Sequence, residues 1–141
     1  MWALFGGIGA MSLTVFLPTI WKRLSDKGVF MTEKELVKKN TIISVIKEEL
    51  SKQNIAIQKI LLFGSRAKGT ARNESDWDFM AVVDKDINIE DKIKLISVIR
   101  LRLAKQLIDA DIIIKSVKDY SEQSKNVGYI TYYAAKEGVS L

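Results

Sequence analysis

Cysteine and histidine are both absent from the 141 residues, and their absence excludes a disulfide framework, a thiolate nucleophile, a Cys/His zinc site and a Ser/His/Asp triad. Any catalysis must therefore rest on carboxylates, hydroxyls, lysines, arginines or a carboxylate-held metal. A chain without thiols is indifferent to redox state, so this absence fixes no compartment. Proline occurs once, at Pro18, and glycine eight times; no internal repeat or low-complexity run is present. There is also no basic arm. The 22 basic and 17 acidic side chains, net +5, are spread along the chain as on a mixed solvated surface, and a template nucleic acid is not expected as a partner. One local exception is the group Lys59, Arg66, Lys68 and Arg72, which falls within fourteen residues.

What is there begins with an uncharged, mostly apolar stretch, Met1 to Trp21, followed at once by Lys22 and Arg23. As a helix it would reach roughly 30 Å, the thickness of a bilayer core, with the basic residues keeping the remainder in the cytoplasm. Gly6, Gly7, Gly9 and Pro18 dilute its hydrophobicity, and Met31 reads as a natural start. Residues 1–30 are thus a separate apolar segment: a membrane anchor, a peripheral or packed apolar helix, or an extension from an upstream start. Residues 31–141 form the working domain.

With 48% apolar and 28% charged residues, one core is expected. Thr32 followed by Glu35 makes a capping box, and Leu36, Ile43, Ile46 and Leu50 recur at helical spacing, predicting a helix over 33–53. Ile60 to Phe63 is a short apolar run ending at Gly64 and suits a buried strand. Ser65 to Ser75 reads as a short helical turn plus a loop, and Asp76 to Val83 as a second strand closed by Asp84, Lys85 and Asp86. Ile93, Ile96, Ile99, Leu103 and Leu107 mark a second long helix, Asp111 to Lys115 a third strand, and Tyr120 to Gly138 a helical tail. The class is α/β.

The chemistry lies in one window. Gly64 lets the chain turn sharply after the strand, and Ser65, opening a helical turn, offers backbone amides and a hydroxyl to phosphate. Asp76 and Asp78, two apart on a strand, project from one face and can together hold hard divalent cations such as magnesium. A phosphate cradle beside a pair of magnesium ions, roughly 3.5 to 4 Å apart, makes a phosphoryl or nucleotidyl transfer site. Trp77 alternates with the two aspartates, so packing on the reverse sheet face is favoured over stacking on a base.

The residues Gly64, Ser65, Arg66, Ala67, Gly69, Ser75, Asp76, Asp78 and Phe79 resemble the signature of the DNA polymerase beta nucleotidyltransferase superfamily, in which a Gly-Ser pair precedes Asp-x-Asp by ten residues. The resemblance implies a small mixed β-sheet with flanking helices, ATP as substrate, two magnesium ions, and a third carboxylate on a neighbouring strand that binds metal and activates the incoming hydroxyl. Asp111, which opens the run Ile112, Ile113, Ile114, is favoured for that role over Asp109. Arg66 and Lys68 are candidates for neutralising the triphosphate, with Gly64 and Ser65 as its cradle. Because the catalytic module uses almost all of residues 32–141, the chain looks like a minimal nucleotidyltransferase, similar to the antitoxin of HEPN/MNT pairs. By that resemblance it would transfer AMP from ATP to a tyrosine of a HEPN-type ribonuclease toxin. The alternatives are a non-catalytic antitoxin that only occludes its partner, and a transferase for a small molecule such as an aminoglycoside. The latter would need a second copy of the chain to complete an acceptor pocket. Tyr129, Ile130, Tyr132, Tyr133 and Ala134 concentrate aromatic surface in the tail, where they either pack on the core or dock the partner.

Overall fold

Thr32 and Glu35 cap each other at the start of the first long helix. The Thr32 backbone N–H donates to Glu35 Oε2 at 2.8 Å, and the Glu35 N–H donates to Thr32 Oγ1 at 3.2 Å, the reciprocal arrangement expected of a capping box. In the computed structural model the described residues are 21–23 and 30–141. The chain divides into two units, Met1–Lys38 and Lys39–Leu141. In the first, β1 (Trp21–Arg23) pairs antiparallel with β2 (Phe30–Thr32) in the register Trp21↔Thr32; neither strand was legible in the sequence. The apolar stretch Met1 to Trp21 lies outside the described residues except for Trp21. Among the described residues, no helix is long and apolar enough to cross a membrane.

Helix α1 (Glu33–Lys52) runs into the second unit, where Ile42, Val45, Ile46 and Leu50 form its buried stripe. Asn54, at φ +55°, turns the chain out of the helix, a left-handed conformation that asparagine tolerates. There follow β3 (Ile57–Phe63), α2 (Gly64–Lys68), β4 (Trp77–Val83), α3 (Ile89–Ala104), β5 (Ala110–Ser116), α4 (Val117–Gln123), α5 (Ile130–Glu137) and β6 (Val139–Ser140). The second unit's four strands lie in the order β5-β4-β3-β6, with β4 and β5 parallel and the other pairs antiparallel. The parallel pair is joined through the long helix α3, the kind of crossover a parallel connection requires.

Both faces of this sheet are buried. On one, Leu61, Phe63, Met80, Val82 and Ala134 cluster, with Ile113 and Tyr120 packed against them, so α4 and α5 belong to this side. Ile60, Leu62, Phe79, Ala81, Ile112 and Ile114 alternate with them and are equally buried, the near-continuous apolar pattern of a sheet covered twice. Helices α1 and α3 are tied together by Arg102, which donates to Glu48 and to the buried Glu49.

Two helix expectations needed correction. The second long helix starts at Ile89, capped by the Asn88 side chain accepting from the Asp91 N–H at 2.8 Å, and ends at Ala104. Its buried stripe is Leu95, Ile99 and Leu103, while Ile93 is exposed and Leu107, at φ +58°, is 89% exposed beyond the helix. Apolar residues on both faces of α3 made the stripe ambiguous from spacing alone. The tail is two helices, broken where the Gly128 N–H donates to Asn126 Oδ1 at 3.0 Å, a local turn that competes with helix. After it, Gly138 admits a close backbone approach: a Cβ there would lie 2.2 Å from the Ala134 carbonyl oxygen. The chain can then close as β6 against Leu61 and Leu62.

Candidate active site

The end of β3 and the beginnings of β4 and β5 meet at one edge of the sheet. Phe63 stands opposite Asp78 across the antiparallel pair, and Asp78 beside Asp111 across the parallel pair. Register partners share a face, so Asp78 and Asp111 project on the side of Phe63, Met80 and Ala134. Asp76 sits one residue ahead of β4, outside the strand that was expected to include it, and is exposed. Asp109 lies just ahead of β5, where its carbonyl accepts from the Trp77 N–H at 3.3 Å; the carboxylate set beside Asp78 by register is that of Asp111.

Gly64 completes this corner. It has φ +72°, and a Cβ placed on it would lie 2.3 Å from Asp78 Oδ2. Glycine is thus required twice, for the left-handed backbone and for the space that the Asp78 carboxylate fills. Ser65 follows in the first turn of α2, which closes on Gly69 at φ +78°.

Burial pushes the Asp78 carboxyl above its ordinary range, and the charges of Asp111 and then Asp76 push it further. The ionised form of Asp78 is thus disfavoured unless a positive charge joins it. An oxygen-only donor set with surplus negative charge fits a hard divalent cation. Among the described residues no group of three carboxylates is already gathered around one point; Asp111 Oδ1 is 3.8 Å from Arg100 Nη2 on α3. Spacing along the sequence gave no signal for Arg100. Arg100 and Asp109 also line an open cavity of about 620 Å³, together with Leu101, Leu107 and Ile108.

The basic residues around the motif do not form one patch. The Lys59 ammonium lies over the Tyr120 ring at 4.8 Å, and Lys68 pairs with Glu137 of α5 at 2.7 Å. Arg66, expected at the triphosphate, is 6% exposed. Its Nε and Nη2 donate to the Ser75 carbonyl at 3.2 and 2.8 Å, and its guanidinium lies 4.3 Å from the centre of the Trp77 ring. Trp77 is buried and stacks with Phe79, which is the packing role expected of it. In α5, Thr131 and Ala134 face inward, while Ile130 and Tyr133 are exposed, as is Tyr129 just ahead of the helix, and Tyr132 is half-buried.

A glycine-serine turn set against a carboxylate on the adjoining strand is the arrangement that the resemblance to nucleotidyltransferases implied, and comparison with known families agrees. The family model described as Polymerase beta, Nucleotidyltransferase matches residues 32–132. The chain belongs to that family. No curated protein matches it. Among solved structures it is similar to a mutant of the MntA-HpeT toxin-antitoxin (16% identity over 72% of this chain and 69% of that one, TM-score 0.47). It is also similar to a candidate nucleotidyltransferase from Sulfolobus solfataricus (21% identity, 75% and 76%, TM-score 0.47). A third is the complex of tri-AMPylated Shewanella oneidensis HEPN toxin with MNT antitoxin (15% identity, 74% and 69%, TM-score 0.46).

Proposed function

We propose that this chain transfers AMP from ATP to a hydroxyl group, with a tyrosine of a partner HEPN-type ribonuclease as acceptor, and so acts as an antitoxin. The observation that carries the transferase reading is the Asp78 carboxylate, packed against Gly64 and standing beside Asp111 in register. The choice of acceptor extends the resemblance of such a minimal nucleotidyltransferase module to the antitoxin of HEPN/MNT pairs.

In this reading Gly64 and Ser65 receive the triphosphate, with Lys68 close by. Asp76, Asp78 and Asp111 would hold two magnesium ions, which when bound supply neutralisation of the triphosphate and alignment of the attacking and leaving oxygens. The acceptor oxygen forms a bond to the α-phosphorus, the bond from that phosphorus to the bridging oxygen breaks, and pyrophosphate leaves with its electron pair. Asp111 takes the acceptor's proton; its exposure and its place on the edge strand β5 leave it open to an incoming hydroxyl. Beside Asp78 in register and within reach of a bound acceptor, it acts as a positioned general base.

The test is label transfer from α-labelled ATP to a co-expressed HEPN-type partner, comparing the wild-type chain with Asp76→Asn and Asp78→Asn. Loss of transfer in both folded variants supports the reading. Magnesium-dependent transfer that survives in both contradicts the assignment.

A further inference from the structure

We propose that Arg66 is a positioning residue that fixes the carboxylate segment relative to the Gly64–Ser65 turn, rather than a ligand of the triphosphate. This rests on the transferase reading above and deepens it. The two halves of the motif are ten residues apart in sequence, and a largely exposed loop, Gly69–Ser75, with Ala71 and Ser75 half-buried, connects them. Something must hold the returning end of that loop in place, because Asp76 follows it immediately.

Arg66 does so from inside α2. Two of its donors converge on the Ser75 carbonyl, and Nη2 reaches the Arg72 carbonyl at a longer 3.4 Å. The captured segment is itself a closed turn: the Ser75 N–H donates to the Arg72 carbonyl at 3.0 Å, and Ser75 Oγ accepts from the Arg72 N–H at 2.8 Å. On its far side the guanidinium stacks on Trp77, the residue between the two aspartates. One side chain thus grips the chain on both sides of Asp76. A planar fork that binds a carbonyl with two donors while lying on a ring is a property of arginine, and lysine cannot reproduce it. At 6% exposure, with donors on loop carbonyls, the guanidinium holds protein and not solvent-borne phosphate.

The test compares the wild-type chain with Arg66→Lys and Arg66→Gln by three readouts: affinity for ATP, the rate constant of α-label transfer at saturating ATP, and hydrogen exchange at the amides of residues 70–76. A misplacement of about 1 Å costs about a hundredfold in rate. Positioning therefore predicts a kcat lowered about ten- to a hundredfold in both variants, ATP affinity within about threefold of wild type, and faster exchange confined to residues 70–76. Weakened ATP affinity with kcat and exchange unchanged would make Arg66 a phosphate ligand and overturn the proposal. So would faster exchange throughout β3 and β4 in both variants, which would make it a general core residue. If the wild-type chain transfers no α-label, the transferase reading fails, and the exchange pattern alone still decides whether Arg66 holds the loop.

Discussion

Gly64 leaves the room that Asp78 uses: the volume a Cβ would take on Gly64 is filled by the Asp78 carboxylate, whose Oδ2 lies 2.3 Å from that position. The turn that begins the motif and the carboxylate that ends it are therefore one packed unit, although fourteen positions separate them in the sequence.

Gly64→Ala puts a methyl group into that contact on a backbone at φ +72°. A left-handed non-glycine residue costs on the order of 1 kcal/mol or more, and the clash adds to it. A lower melting temperature is expected, together with loss of transfer, because the Asp78 carboxylate must move. Wild-type melting and activity would show that the corner tolerates a side chain.

Asp78→Asn should lower transfer about a hundredfold or more while raising the stability of the metal-free protein by a few degrees at neutral pH. The sign follows from Asp78 holding its proton more tightly when folded than when unfolded: the ionised form destabilises the fold above that raised pKa. As pH falls through the raised value toward the ordinary carboxylate range, the wild-type chain recovers and the variant's advantage should vanish. Melting curves from pH 7 downward read this directly; an advantage that grows on acidification would contradict it.

Glu49 carries the opposite sign. The Lys52 ammonium, and with it the Arg102 guanidinium, holds its carboxyl below the usual range despite burial. Glu49→Gln should lower the melting temperature by several degrees at neutral pH, and the deficit should close as pH falls through Glu49's depressed pKa. Transfer should survive, since Glu49 belongs to the ties between α1 and α3.

Ser65→Ala removes one hydroxyl and leaves the backbone of α2 in place. A loss of about ten- to a hundredfold in transfer, with weaker ATP binding, is what one phosphate contact supplies. Unchanged rate and affinity would place the phosphates elsewhere.

The central residues were legible in the sequence because their chemistry is periodic and local: Gly64, Ser65, Asp76 and Asp78 sit at fixed spacing between apolar runs, and the run after Asp111 announced its strand. Relationships across the sheet were not. That Asp111 stands beside Asp78 depends on register, and that Arg66 turns onto Ser75 depends on how the loop returns; neither leaves a mark in spacing. The strands β1, β2 and β6 escaped for a related reason. Two or three residues are too few for alternation to show, and their existence depends on the partner strand.

The measurement that bears most directly on the transferase reading is the fate of label from ATP labelled at the α or the γ position, incubated with magnesium, this chain and a co-expressed HEPN-type partner. Attack at the α-phosphorus with pyrophosphate as leaving group predicts that α-label becomes covalently attached to the partner and γ-label does not. Attachment of γ-label instead would mean phosphoryl transfer and contradict the account.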